Sequence, residues 1–241
     1  MKIVIAHLYY DLMNLYGESG NVKALKKYLE EQGVKVTIKF LSLNDTMDFA
    51  TYDFVYIGAG SENNRLLVLK DLKRYQKDIK RFIDENKFIL ATGNAHEIFG
   101  QYIIDLNHKK HKALSIFDYY AKDVDFRIVD EVYFETPLVK KPLIGFQNQA
   151  SILRDNPHPL FTVIMGVGSY PNSKTEGFRY HNFYGTYITG PLLIRNPHFT
   201  KYLVKTILKN KYPDYKYKNI NKSIEETAYR NFTKHLLSIK Q

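Results

Sequence analysis

The sequence predicts a three-layer α/β fold with a mostly parallel central sheet and added antiparallel hairpins. Three observations carry this. Apolar runs of strand length alternate with helical periodicity over roughly the first hundred residues. Two of those runs end in glycine-containing turns, Gly58-Ala59-Gly60-Ser61 and Thr92-Gly93-Asn94. Beyond about residue 110 the texture changes to short β-like runs, the pattern of hairpins.

The elements follow in order. Lys2–Leu8 is apolar and β-branched, the mark of a strand buried on both faces. Gly20–Gln32 places Val22, Leu25, Tyr28 and Leu29 at helical spacing, and Gly33 suits a C-cap. Val34–Phe40 alternates as a strand. Asp53–Ile57 is a further buried strand, running into the Gly58–Ser61 turn. Arg65–Glu85 carries Leu66, Leu69, Leu72, Ile79 and Phe82 at the spacing of one long amphipathic helix. Phe88–Gly100 (FILATGNAHEIFG) reads as strand, sharp turn and helix, the pattern of a nucleophile elbow. Five hairpin candidates follow: Phe126–Phe134, Pro142–Gln147, Leu160–Val167, Gly177–Tyr184 and Gly185–Thr189. Phe199–Lys209 and Ile224–Leu237 close the chain as helices. There are no repeats and no low-complexity linker, so residues 1–241 are expected to form a single domain.

Composition narrows the function classes. The chain has 241 residues, 44% hydrophobic and 25% charged, and no cysteine. Disulfides and thiolate metal sites are therefore excluded. Net charge is +10. The dense Lys201–Lys218 stretch (KYLVKTILKNKYPDYKYK) reads as solvated surface, because no nucleic-acid motif accompanies it. A module for an anionic ligand on that stretch stays open as an alternative. No run is long enough to span a bilayer and no secretory signal opens the chain, so a cytoplasmic location is expected. His108 and His111 stand at i, i+3, but no carboxylate ligand sits at a matching offset, and HKKH reads as an exposed loop.

Five segments, in order along the chain, carry a resemblance to a known family. They are Asn14-Leu15-Tyr16 with Gly20-Asn21, Ile57–Ser61, Phe88–Gly100, Leu143–Asn148 and Gly185–Pro191. They resemble the NLY…GN, IGGGS, elbow, GFEN and GTYLHGP segments of the class I glutamine amidotransferases. The CobB/CobQ-like branch is the nearer likeness, and within it the GatD-type glutaminase subunits of lipid II isoglutaminyl synthase. Asp118-Tyr119 after Ile116-Phe117 resembles that family's ILDFY segment and reads as packing.

The resemblance implies a flavodoxin-like plan and a pocket for glutamine or a related amide. It implies no cofactor or metal, and a MurT-like Mur-ligase-type synthetase as partner. Family chemistry uses a Cys thiolate at the elbow, a His base, and backbone N–H groups around the developing oxyanion. Here the nucleophile position falls on Gly93, or on Thr92 if the alignment slips by one, and the His position falls on Thr189. Neither thiol nor imidazole is present, so a degenerate glutaminase site is expected. Gly60, Asn94, Arg127, Gln147 and Asn148 are the positions the resemblance gives to substrate binding. Arg127 suits a carboxylate because guanidinium binds one bidentately. The residues alone leave two other readings of Arg127 and His96: a strand-edge cation and a packed histidine. An enzyme of altered chemistry recruiting His96, Glu97 or His181 remains the alternative to a degenerate subunit.

Overall fold

The computed structural model describes residues 1–220 and 223–238. In chain order the strands are β1 (Lys2–Leu8), β2 (Lys35–Leu41), β3 (Phe54–Ile57), β4 (Phe88–Thr92), β5 (Tyr102–Ile104), β6 (Lys110–Lys112), β7 (Tyr120–Glu135), β8 (Leu143–Arg154), β9 (Phe161–Met165), β10 (Thr175–Glu176), β11 (Phe178–Tyr180), β12 (Phe183–Thr186) and β13 (Ile188–Thr189). The helices are α1 (Ser19–Glu31), α2 (Glu62–Leu72), α3 (Gln76–Asp84), α4 (Leu192–Arg195), α5 (Pro197–Lys211) and α6 (Ser223–Ser238).

The central sheet has the order β11-β12-β4-β3-β1-β2, parallel except for β11. Alternation along its strands shows burial on both faces. In β4, Ile89 and Ala91 enter one core cluster with Leu69, Leu72, Ile79 and Phe82 of α2 and α3. Phe88 and Leu90 enter the opposite cluster with Val22, Leu25 and Leu29 of α1 and Leu203 and Ile207 of α5. This is the helix–sheet–helix sandwich expected from βαβ units.

The hairpin segments build a second, seven-stranded sheet around the long antiparallel β7–β8 pair. The register of that pair shifts between Asp123 and Ile128, a β-bulge that re-aims Phe126 and Arg127. β13, which follows β12 directly, pairs with β8 and thereby ties the second sheet to the end of the central one.

Two expected helices differ. The Arg65–Glu85 helix is broken at a 3-10 turn, Lys73–Tyr75, where the Arg74 guanidinium folds back onto Asp71. The segment after the elbow is also a 3-10 run, Gly93–Phe99, and not an α-helix. Its acceptors are committed elsewhere: the Tyr119 hydroxyl donates to the His96 carbonyl at 2.5 Å, and the His96 ring Nδ1 lies 2.7 Å from the Gly93 carbonyl. HKKH is only partly a loop. His108 sits in a turn, while His111 lies in β6 with Nε2 2.7 Å from Asp105. No group of metal-ligating side chains occurs among the described residues. Lys201–Lys218 leaves α5 and crosses back over α1, where Tyr215 donates to the Gln32 carbonyl and the Lys218 N–H donates to Gln32 Oε1. Lys201 and Lys211 pair with Glu226 and Asp53. Among the described residues no helix is long and apolar enough to cross a membrane.

Candidate functional site

Loops at the carboxyl ends of parallel strands are where an α/β sheet presents its chemistry. Three meet here: the loop after β1, the Gly58–Ser61 loop after β3, and the elbow after β4. The Leu15 N–H donates to the Ala59 carbonyl at 3.1 Å, and Asn64 Nδ2 donates to the Leu12 carbonyl at 3.0 Å, locking the first loop to the second. Ser61 caps α2 by accepting from the Asn64 N–H. Gly58 allows the close approach, because a Cβ there would stand 2.5 Å from the Met13 carbonyl oxygen and 2.6 Å from Glu18 Cβ.

Gly93 is the tip of the elbow. Its φ of +59° is the left-handed conformation that favours glycine. A Cβ built on it would lie 2.4 Å from the Ala59 Cβ and 3.2 Å from the Thr189 methyl. The volume a nucleophile's side chain would need is therefore filled by Ala59, at the position where the resembling IGGGS segment has glycine. Thr189 turns its hydroxyl away, donating to the Phe146 carbonyl at 3.2 Å. Thr92 is buried and points beneath the elbow, its hydroxyl donating to Glu18 Oε2 and lying 2.7 Å from the Tyr56 hydroxyl. Glu18 also accepts from Tyr56, Asn21 and the Gly190 N–H. Burial pushes its carboxyl above the usual range, and Thr92, Tyr56 and Gly190 pull it back.

A second buried network lies behind the elbow. Glu97 accepts from Arg65, Ser151 and Tyr187, and Arg65 forms a bidentate pair with Asp123 at 2.9 and 2.8 Å. Arg65 and Glu97 are fully buried. Burial first, and the nearby Asp123 charge with it, push the Glu97 carboxyl up; the Arg65 guanidinium and the Ser151 and Tyr187 hydroxyls oppose them.

Beside the elbow a cleft of about 330 Å³ is lined by Tyr16, Gly60, Ser61, Asn94, Arg127 and Asn148, among others. The Arg127 guanidinium donates to Asn148 Oδ1 at 2.9 Å and stands 3.8 Å from Glu62. The structure thus brings Gly60, Asn94, Arg127 and Asn148 together. Gln147 departs from that expectation. It is buried and does not line the cleft, because its carboxamide is taken up by Gln149 Oε1 and the main chain of Gly168. Gln149 and Ser151, two and four residues on, line the cleft with Asn148 and Ala150. The bulge in β7 lies along this edge, between Asp123 and Ile128, and no local sequence signal marks it.

The candidates for altered chemistry do not converge. His96 is fully buried against Tyr187, with burial holding its ring down at about 4. Glu97 is committed to Arg65. His181 sits in the turn before β12, at the end of the sheet opposite the elbow, since Thr186 and not Phe183 is level with Thr92.

An elbow between parallel strands, an adjoining glycine-containing loop and a polar cleft define the class I amidotransferase type of site. The chain belongs to the CobB/CobQ-like glutamine amidotransferase domain family, matched over residues 4–197. It is 32% identical over 214 residues to the Lipid II isoglutaminyl synthase (glutamine-hydrolyzing) subunit GatD of Streptococcus pneumoniae, covering 88% of this chain and 82% of that one. Against the GatD subunit of Staphylococcus aureus the identity is 26% over 227 residues, covering 94% and 93%. Among solved structures it resembles a glutamine amidotransferase from Thermotoga maritima, with a TM-score of 0.50, 13% identity, and coverage of 95% and 90%. A second glutamine amidotransferase gives a TM-score of 0.52 at 12% identity, covering 86% of this chain and 98% of that one. These two support the fold alone.

Proposed function

We propose that this chain is a catalytically degenerate GatD-like subunit, a single cytoplasmic domain that partners a MurT-like Mur-ligase-type synthetase in amidating the peptidoglycan precursor lipid II. The observation that carries the degenerate reading is the packing at Gly93. A glycine with positive φ stands where the resemblance places the nucleophile, and Ala59 occupies the side-chain space above it. Thr189, at the base position, holds its hydroxyl on the Phe146 carbonyl and has no proton to exchange near neutral pH. Thr92 cannot substitute, since nucleophilic activation needs a base with the hydroxyl presented to substrate, and this hydroxyl is buried beneath the turn.

In this reading the synthetase draws on free ammonia, and the subunit contributes its scaffold and the Arg127–Asn148 rim. The test is ammonia release from glutamine by the chain alone and with its partner. No release is expected, with synthetase activity supported by ammonium salts and not by glutamine. Release that is lost on changing Thr92, His96 or Thr189 would overturn the reading.

A further inference from the structure

The cleft contains a feature separate from the missing nucleophile. Gly60 presents one N–H and one C=O of the same residue toward Asn94. The Gly60 N–H donates to Asn94 Oδ1 at 3.0 Å, and Asn94 Nδ2 donates to the Gly60 carbonyl at 2.7 Å. One donor and one acceptor side by side match the two ends of a primary carboxamide. Asn94 is half-buried and lines the cleft, and so does Gly60. Arg127 lines the same cleft, and its guanidinium, held on Asn148, suits a carboxylate. A ligand carrying a carboxylate and a carboxamide would find its carboxamide position already taken by the protein's own.

We propose that the Gly60 main-chain edge is a primary-carboxamide recognition site, and that Asn94 is its resident occupant, keeping free glutamine out of the cleft. This rests on the family reading above, and it deepens it. The site is closed to the amide as well as stripped of its nucleophile. The occupant is tethered, so it competes at the high effective concentration of an intramolecular group. Among the described residues the same exchange also joins Gln147 to Gly168 and Gln32 to Lys218, neither pair lining the cleft, and it recurs a third time at Asn196. Asn196 exchanges hydrogen bonds of 2.8 and 2.8 Å with the N–H and C=O of Ile144. That pair is sealed in the interior, where Asn196 also donates to the Leu192 carbonyl. It is a structural staple with no cleft beside it, and it serves as an internal control.

The experiment titrates the full chain with L-glutamine and L-glutamate by calorimetry and by amide chemical shifts. Asn94→Ala is expected to bind glutamine at least about tenfold more tightly than the unmodified chain, the equivalent of one net hydrogen bond, with glutamate affinity unchanged. Asn94→Asp keeps an acceptor for the Gly60 N–H but sets an acceptor-only carboxylate against the Gly60 carbonyl, and is expected to gain less glutamine affinity than Asn94→Ala. Asn196→Ala is expected to lower the melting temperature without changing either affinity. Equal glutamine affinity in the unmodified chain and Asn94→Ala would overturn the proposal, and so would a parallel rise for glutamate or an equal gain in Asn94→Asp. None of these readouts depends on turnover. Glutamine hydrolysis by the unmodified chain would instead sink the degenerate-subunit reading.

Discussion

The tip of the elbow and its underside are built in opposite ways. At the tip, Gly93 has no side chain, Thr189 faces away, and Asn94 is paired with main chain. Underneath, two buried clusters are densely bonded. Glu18 gathers Thr92, Tyr56, Asn21 and Gly190, while Glu97 gathers Arg65, Ser151 and Tyr187, with Asp123 on Arg65. A buried charge without partners costs several kcal/mol, so these clusters must be kept whole if the turn is to keep its shape. Catalytic side chains at the tip carry no such constraint, and can be lost without loss of the fold. The contrast explains how the elbow keeps its shape with a glycine at its tip.

The largest expected effect lies underneath. Arg65→Met leaves Glu97 and Asp123 facing each other in the interior with no cation. A destabilisation of about 3–5 kcal/mol is expected, read as a lowered denaturation midpoint. A change smaller than about 1 kcal/mol would show that the network is not what holds the elbow.

Acid stability tests the interior more widely. His7 is buried among Tyr10, Phe40 and Tyr56, and its ring nitrogens have no hydrogen-bond partner among the described residues. Burial lowers its pKa from 6.5 to about 4. The unfolded chain therefore binds a proton at this site between about pH 6.5 and pH 4 that the folded chain does not. Its stabilising contribution is full above 6.5 and is lost as pH falls toward 4. Glu176 runs the other way: burial raises it to about 7, so its cost grows as pH rises from about 4.5 to 7. His7→Phe loses no hydrogen bond and should flatten the acid limb, gaining at most about 3 kcal/mol near pH 4. An unchanged limb would locate the acid sensitivity at His96 and His198, both also lowered to about 4.

At the tip, Gly93→Cys alone must place a Cβ against Ala59 in a left-handed backbone. A cost of about 1–3 kcal/mol is expected. Ala59→Gly removes the clashing methyl, so the double variant should recover much of that loss, leaving the φ strain. Thermal melts of the two singles and the double read this as a coupling. Additive effects would mean that Ala59 does not fill the vacated space.

How much of this the sequence carried differs between the two regions. The central strands were legible because β1, β3 and β4 are buried on both faces and so read as continuous apolar runs. Gly93 at the tip of the turn was legible from the strand-then-turn pattern of Phe88–Gly100. The Ala59–Gly93 contact was not, since it joins two separate loops and rests on the 2.4 Å between the Ala59 Cβ and a Cβ built on Gly93, which only the folded chain sets. The 3-10 form of Gly93–Phe99 depends on the Tyr119 hydroxyl reaching the His96 carbonyl, which no local propensity encodes. Gln147 shows the limit at the cleft. Segment matching puts it beside Asn148, but its partners Gln149 and Gly168 draw it into the interior.

The smallest stability effect should come from Arg127, and that separates the rim from the underside most cleanly. Its side chain is about half exposed, and its contact with Glu62 is a long surface pair. Surface pairs of this kind contribute little, so Arg127→Ala should shift stability by no more than about 0.5 kcal/mol. Arg65, also an arginine held between acceptors, is expected to cost several times more, because Glu97 and Asp123 lose the cation buried between them. If the rim exists to hold a carboxylate, Arg127→Ala abolishes glutamate binding to the cleft while the melting curve stays put. A melting curve that moves as far as that of Arg65→Met would place Arg127 in the elbow's support and take the carboxylate role away from it.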